Sequence, residues 1–572
     1  MKATWYKKWI PVVDPKNLFT RTIFIAERDK NHLRRIMIMN MKRIIVVWSM
    51  FLMFALTLLA GCEGSSSSGP GSNTSTALSA DNVNLIFVVS PDLANDPLGD
   101  IQPDTANLTS QGLNRSLQMA TYLKQQVLGG NNVTAIYALA PMTHLQTTPT
   151  YPDIPGIPGI PDMTAIGFIQ QFALLNQITL TVTPTSPYTS YTANNYTINT
   201  SYASAESVPA GVAFPTPLDP RDPDQPTYCP TCTGLDFNNS FNNNDILVSG
   251  IINKNIPGFY VFSAPWETTS ALLTNIKTTK GYNLNLPTTY LGSNFGYVIS
   301  ITPSGSASLV TYNSNLTPPS TYPVLPAPVQ SAACTHTLQP YFKAVRTGGV
   351  DGVIVPANSN TNQRVYIVRH AEAHPDPGFY FEDGNYVGAG QWRALALSNA
   401  LRGKISPNMV YSIDPAQWYP TSLPVTSDTF TVSYVRPSLT VLPYAIANNL
   451  PFYLAASFEL VDALIASPDV ARTTSNFFFT NPNSDGVNLS NQTILLAWES
   501  GHIRPFLNAL LTSYGGPTPP QLPPPPPSDG WPDADYDTIW TVTLDAQGNL
   551  TVDNELCEGI DSASLPATAP QF

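Results

Sequence analysis

Val365-Tyr366-Ile367-Val368-Arg369-His370-Ala371-Glu372 is the stretch on which the reading of the fold turns. Its first four residues are uncharged and β-branched or aromatic, and they follow the polar run Asn360-Thr361-Asn362-Gln363. That pattern predicts a short buried strand. A strand that ends on Arg-His sets a cation and an imidazole at the mouth of a sheet, where α/β folds keep their sites. The chain has six histidines in 572 residues, so a histidine at this position carries weight.

Further segments follow in order. Gly390-Gln391-Trp392-Arg393 opens a helix with Trp392, Leu395, Ala396 and Ala400 on one face; Arg393 reads as a cap or surface decoration of that helix. Met409-Val410-Tyr411-Ser412 reads as a second strand. Tyr434-Val435-Arg436-Pro437-Ser438-Leu439-Thr440 leads a helix that runs to Leu450-Pro451. The apolar run from Thr493 to Trp498, continued by Glu499-Ser500-Gly501-His502, reads as a strand delivering a second histidine, with a helix from Pro505 to Leu511 behind it.

The first half repeats the plan. Asn84 to Val89 is an apolar strand, Gly112-Leu113-Asn114-Arg115 opens a helix, and Ala135-Ile136-Tyr137-Ala138 and Phe259-Tyr260-Val261-Phe262 read as strands. Each half closes on a hairpin-like pair: Tyr297–Ile301 with Ser308–Tyr312 about Gly305, and Ile539–Leu544 with Leu550–Val552 about Gly548. The expectation is an internal duplication in which one copy has lost its polar groups. Ser90-Pro91 stands where the second half has Arg369-His370, Thr164 where it has Arg436, and Glu267 where it has His502.

Across residues 364–555, the Arg-His-Ala-Glu motif, the Gly-x-x-Arg helix start, the arginine before the helix ending at Leu-Pro, and the second histidine resemble the histidine phosphatase superfamily, the phosphoglycerate-mutase-like fold. The resemblance implies an α/β protein of two tandem three-layer α/β/α domains, each with a mostly parallel sheet. Residues 81–325 form the degenerate one, 326–363 a linker, and 364–572 the one with the Arg-His motif. It also implies hydrolysis of a phosphate monoester. His370 would attack phosphorus, and Arg369, Arg436 and His502 would hold the phosphoryl oxygens, with no cofactor and no metal. Arg364 or Arg393 stands as an alternative second phosphate ligand. The chemistry suits these residue types: arginine donates bidentately and stays charged, and neutral imidazole is a good nucleophile. The leaving alkoxide needs a proton from a carboxylic acid. One branch of the family places an acid straight after the second histidine, where this chain has Ile503. Another places a glutamate after the helix that follows the pocket arginine, which points to Glu459. Glu372 is the alternative donor and Glu499 a weaker one. His374 reads as a loop residue near the substrate entrance, and His144 and His336 as surface residues.

Charge and composition set the compartment. Charged residues make up 12% of the chain and there are 55 prolines, a composition that suggests an exported protein with long polar loops. Eleven of the 27 Lys and Arg lie in residues 1–43; from residue 44 on, 16 basic residues face 36 acidic ones, a net charge of −20. A body that acidic argues against nucleic acid as a partner. Met41-Lys42-Arg43 followed by an uncharged stretch from Ile44 to Gly61 forms an export signal. Its ending, Leu58-Leu59-Ala60-Gly61-Cys62, resembles a bacterial lipobox, which implies cleavage before Cys62 and a lipid on its thiol. The alternative is an uncleaved transmembrane anchor. Residues 1–40 precede a complete signal and read as an over-extended start, and the Ser/Gly-rich residues within 62–80 as a flexible tether. The expected place is the periplasmic face of a membrane or the cell surface.

Outside the cytoplasm cysteines usually pair. Cys229-Pro230-Thr231-Cys232 reads as a local disulfide, with a redox-active pair or half a zinc site as alternatives, and Cys334 with Cys557 as a staple joining the ends of the second half. Two functions remain open from the residues: a lipid-anchored phosphatase acting on a phosphorylated small molecule, or a non-catalytic binding lipoprotein on the same fold. The stretches Pro377 to Val387 and Ser412 to Val432, expected to cover the pocket, hold no basic cluster for a polyphosphorylated substrate.

Overall fold

A computed structural model describes residues 77–96, 99–149, 159–181, 190–200, 234–239, 242–373, 384–416, 418–422, 429–455, 478–481, 487–518, 520–523 and 531–572. Cys62, Cys229, Cys232, His374 and Glu459 lie outside the described residues, as do the export signal and nearly all of the tether. Among the described residues no helix is long and apolar enough to cross a membrane.

The protein is mixed α/β and is built on two large, mostly parallel sheets. The first contains β1 (Val83–Val89), β2 (Ala135–Ala138), β3 (Ile198–Asn199), β4 (Gly258–Ala264), β5 (Phe295–Ile301) and β6 (Ala307–Asn313). Its order is β6-β5-β1-β4-β2-β3. The second contains β7 (Lys343–Arg346), β8 (Gln363–Arg369), β9 (Met409–Ile413), β10 (Phe452–Ala455), β11 (Thr493–Trp498), β12 (Thr538–Leu544) and β13 (Leu550–Cys557), in the order β7-β13-β12-β8-β11-β9-β10. Strand for strand, the two share order and direction. β1 lies parallel to β4 and antiparallel to β5, as β8 lies parallel to β11 and antiparallel to β12. The second sheet adds β7, antiparallel to β13. β7 falls within residues 326–363, so that segment is not all linker: part of it is an edge strand.

Among the described residues seven helices place the layers: α1 (Ser110–Tyr122), α2 (Thr164–Leu174), α3 (Asn243–Lys254), α4 (Trp266–Lys280), α5 (Gly388–Ala400), α6 (Arg436–Asn448) and α7 (Ser500–Ser513). The alternation of the central strands decides which helices cover which face. In β1, Leu85, Phe87 and Val89 join Val248 of α3 and Leu272 and Leu273 of α4 in one core. In β8, Val365 and Ile367 join Ile503, Phe506 and Leu507 of α7 in another. Ile86 and Val88 of β1, Tyr366 and Val368 of β8, and the apolar residues of α1, α2, α5 and α6 share a third. Each sheet is thus covered on both faces, and the middle helical layer is common to both.

That shared core joins the two sheets. Residues Ser75–Phe572 form one compact unit. Polar contacts cross the middle as well: Gln170 donates to Asn385 (2.9 Å), Asn107 to the carbonyl of Leu450 (2.7 Å) and Gln171 to that of Pro570 (2.7 Å). The helices of this layer are buried around most of their circumference, which a one-faced reading of α5 underestimates.

Local chemistry fixes the helix ends. Thr109 caps α1 through the N–H of Gly112 (3.1 Å). Pro437 sits in the first turn of α6, where its missing N–H costs nothing, and Asn449 closes that helix in the left-handed conformation (φ +54°). Gly390 near the start of α5 is demanded by close approach, because a Cβ there would lie 2.9 Å from the carbonyl oxygen of Glu372.

Candidate active site

β8 and β11 are neighbouring parallel strands whose ends coincide, Arg369 pairing with Trp498. The N–H of His370 continues the ladder by donating to the Trp498 carbonyl (2.9 Å). β11 stops there, and Glu499 caps α7 by accepting from the N–H of Gly501 (2.9 Å). His502 therefore sits in the first turn of a helix, correcting the expectation that a strand delivers it: the cap ends the strand four residues earlier. The Trp498 indole lies flat against the His502 ring, with 5.6 Å between centroids and 8° between planes. One residue thus holds the backbone of the first histidine and the ring of the second.

Both histidines are buried and each is oriented through Nδ1. His370 Nδ1 lies 2.8 Å from the carbonyl oxygen of Ala371. His502 Nδ1 is in close contact with the Glu499 carboxylate. In each case the acceptor assigns a proton to Nδ1, so neutral His370 carries its lone pair on Nε2, while a second proton on His502 would make Nε2 a donor.

Two tyrosines flank His370, Tyr434 edge-on at 6.1 Å and Tyr536 tilted at 6.2 Å between centroids. Each also carries an arginine. The Arg436 guanidinium is 4.5 Å from the Tyr434 ring centre and the Arg369 guanidinium 4.1 Å from that of Tyr536. The structure thus groups Arg369, His370 and Arg436, and Trp498 joins His502 to them. Arg369 is partly engaged: one terminal nitrogen donates to the carbonyls of Pro532, Asp533 and Asp535 (3.0–3.1 Å). Among the described residues its Nε is buried without a hydrogen-bond partner. A buried guanidinium held by carbonyl dipoles and an aromatic face retains its attraction for an anion.

Thr440 ties these parts together. Its hydroxyl accepts from the N–H of Ala371 (2.8 Å) and donates to the carbonyl of Arg436 (2.7 Å), clamping the start of α6 to the loop that carries His370. Sequence alone marks neither Thr440 nor the two tyrosines: Tyr434 and Thr440 flank Arg436 in the chain, but nothing in their spacing shows that Thr440 contacts a loop 69 residues away, and Tyr536 carries no signal.

Glu372 accepts from Arg393 with both carboxylate oxygens (2.9 and 3.0 Å). Arg393, expected at the helix surface, is fully buried; it also pairs with Glu558 and donates to Ser562 (2.7 Å). Burial alone would lower the Arg393 pKa, but the charges of Glu372 and then Glu558 outweigh it and keep the guanidinium cationic. The reason for the misreading is the doubly covered middle layer, which leaves this helix no solvent face for an arginine. Both Arg393 and Glu372 are therefore committed to each other. Arg364 at the other end of β8 contacts Thr543 (3.4 Å), a strand length from His370.

At the corresponding end of the first sheet the charge is reversed. Asp92 is buried, and burial, followed by the charges of Glu267 and Asp162, pushes its carboxyl up to about 7. Among the described residues Asp92 Oδ2 and Glu267 Oε2 are buried with no donor from a third residue, and the two carboxyls bond each other. His144, expected at the surface, pairs with Asp162 (2.8 Å) and stacks on Phe237 (3.7 Å between centroids), its side chain 15% exposed. Burial lowers its pKa, but the Asp162 bond and charge outweigh this and raise it. Carboxylates in this arrangement repel a phosphate.

A cavity of about 540 Å³ is lined by Tyr536 together with Glu372, Asp533, Asp535, Asp537 and Asp561, with no arginine or lysine. Its charge makes it unsuited to an anionic substrate. Cys334 and Cys557, the pair read from the sequence as a staple, stand at this cavity as free thiols in contact.

No family model matches the sequence, and no curated protein matches it. Structural comparison finds histidine phosphatase and phosphoglycerate-mutase-like proteins. One is the protein histidine phosphatase SixA complexed with tungstate, at 18% identity and a TM-score of 0.19 over 34% of this chain and 97% of that one. Another is phosphoglycerate mutase from Plasmodium falciparum, at 14% identity and a TM-score of 0.19 over 37% of this chain and 99% of that one.

Proposed function

We propose that this protein is a phosphatase that hydrolyses a phosphate monoester through a phosphohistidine on His370. The observation that carries the reading is the placement of His370 just past the end of one strand and of His502 in the first helical turn after its parallel neighbour, joined through Trp498, with Arg369 and Arg436 on the tyrosines that flank His370. His370 Nε2 attacks phosphorus, the P–N bond forms and the P–O bond to the alcohol breaks. Arg369, Arg436 and His502 neutralise the phosphoryl oxygens, where most of the catalytic stabilisation of such a transfer arises. Water then cleaves the P–N bond. Because Glu372 is committed to Arg393, the proton for the leaving alcohol falls to Glu459.

The same proposal holds that the chemistry occurs once. The two sheets are read as copies of one plan, the first with an acidic cluster in place of a phosphate pocket. The protein is read as exported and held at a membrane by lipid on Cys62.

A second reading is a binding protein without turnover, favoured by the three carbonyls that already engage Arg369. Hydrolysis of a generic aryl phosphate by the full chain separates the two. The phosphatase reading expects turnover that His370→Ala abolishes. Absence of turnover over a broad panel of phosphomonoesters, or turnover undiminished in His370→Ala, contradicts it.

A further inference from the structure

Segment 331–342 runs as a strap along the end of β13. Ser331 forms an antiparallel bridge with Ile560, flanked by bonds from Ala332 N–H to the Gly559 carbonyl (3.0 Å) and from Asp561 N–H to the Gln330 carbonyl (3.1 Å). Cys334 follows beside the end of β13, its sulfur 3.8 Å from the carbonyl oxygen of Glu555, and lines the same cavity as Cys557. At the other end of the strap, the Asn554 side chain holds the Pro340 carbonyl (2.9 Å) and the Phe342 N–H (2.8 Å). His336 adopts a left-handed conformation (φ +52°) between these anchors, bending the chain so that its ring faces the Cys334 sulfur at 3.8 Å. A non-glycine residue in that conformation persists only where its surroundings enforce it.

The two thiols are in contact at the lining of one cavity, the proximity a disulfide requires. We propose that Cys334 and Cys557 form a disulfide by exchange with a low-molecular-weight disulfide, fastening the strap to β13 at the mouth of the cavity. The proposal does not depend on the phosphatase reading. Cys334 is exposed and reacts first: its thiolate attacks one sulfur of the reagent and releases one small thiolate. The Cys557 sulfur then attacks the Cys334 sulfur and releases the second, its proton passing to Asp537, which bonds the Cys557 thiol. Two protein thiols are oxidised, one small disulfide is reduced to two thiols, and both protons leave on those products. Burial, and then Cys334 and the Asp537 charge, push the Cys557 thiol up, consistent with its acting second, on a sulfur already held beside it. The link matters beyond the strap because the next residue is Glu558, the buried partner of Arg393. Oxidation thereby stiffens the strand end that holds the Glu372–Arg393–Glu558 group.

The test is to reduce the full chain, expose it to oxidised glutathione, alkylate, and map peptides without reduction. The expected result is a peptide pair joining Cys334 to Cys557 that reductant splits, with a higher melting temperature in the oxidised protein. Cys334→Ser and, independently, Cys557→Ser should lose both the pair and the shift. Both thiols remaining open to alkylation overturns the proposal, as does linkage of either to Cys229 or Cys232. Stoichiometric Zn²⁺ uptake that protects both thiols in place of oxidation also overturns it; among the described residues no group of side chains has the geometry to hold a metal.

Discussion

His370 Nδ1 lies 2.8 Å from the carbonyl oxygen of Ala371, the residue that follows it. The carbonyl can only accept, so the nitrogen donates and the ring's nucleophilic atom is Nε2. The orientation of that carbonyl depends in turn on the Ala371 N–H, which Thr440 holds.

Thr440→Val removes that hold while keeping side-chain volume. It leaves the Ala371 N–H without its partner and frees the start of α6. We expect kcat/KM on an aryl phosphate to fall by about tenfold, the equivalent of one lost hydrogen bond of about 1.4 kcal/mol. Thr440→Ser should retain most of the activity. Steady-state kinetics of the two variants checks this, and equal rates for Thr440→Val and the parent would refute it.

Arg393 is the only cation that the described ion pairs give to Glu372 and Glu558. Arg393→Met should destabilise the protein by about 3–5 kcal/mol, since it leaves two buried carboxylates without their cation. Adding Glu558→Gln should restore part of the loss. Urea unfolding of the three proteins measures both steps, and a single variant as stable as the parent would show that the group contributes no net stability.

The acidic cluster of the first sheet makes stability depend on pH. Asp92 titrates near 7 in the folded protein, against 3.8 for an ordinary aspartate. The folded state therefore binds the extra proton between those values. The linked stability is complete below the unfolded value and is lost as pH rises through about 7. The parent should lose stability from pH 5 to 8 with a slope approaching about 1.4 kcal/mol per pH unit. Asp92→Asn removes the titration, so it should flatten the profile and be the more stable protein at pH 8. Unfolding at stepped pH gives the comparison, and parallel profiles would rule out the shift.

The strands were the most legible part of this sequence. Val365–Val368, Ala135–Ala138 and both closing hairpins appear where apolar alternation and turn residues place them, because a buried strand writes its pattern into consecutive residues. What the chain did not reveal lies in contacts between distant elements. Arg393 looks like any helix arginine until β13 brings Glu558 against it, 165 residues away. His144 looks solitary until Asp162 and Phe237 close on it. The segment around Lys343 carries too short an apolar pattern to announce an edge strand, and the fusion of the two halves into one core is hidden because α2, α5 and α6 bury polar residues such as Gln170, Arg393 and Thr440 along with apolar ones. Of the proposed site, the two histidines and two arginines were legible as motif residues, while Thr440, Tyr434 and Tyr536 act through tertiary placement.

The central claim is a covalent phosphoryl group on His370. Its most direct measurement is to mix the full chain with a phosphate-labelled aryl phosphate, quench within a turnover into base, which preserves a phosphohistidine, and map the label. The account predicts label on Nε2 of His370 in the parent, more of it in His502→Ala, and none in His370→Ala. Turnover with no label on His370 in either the parent or His502→Ala would contradict it.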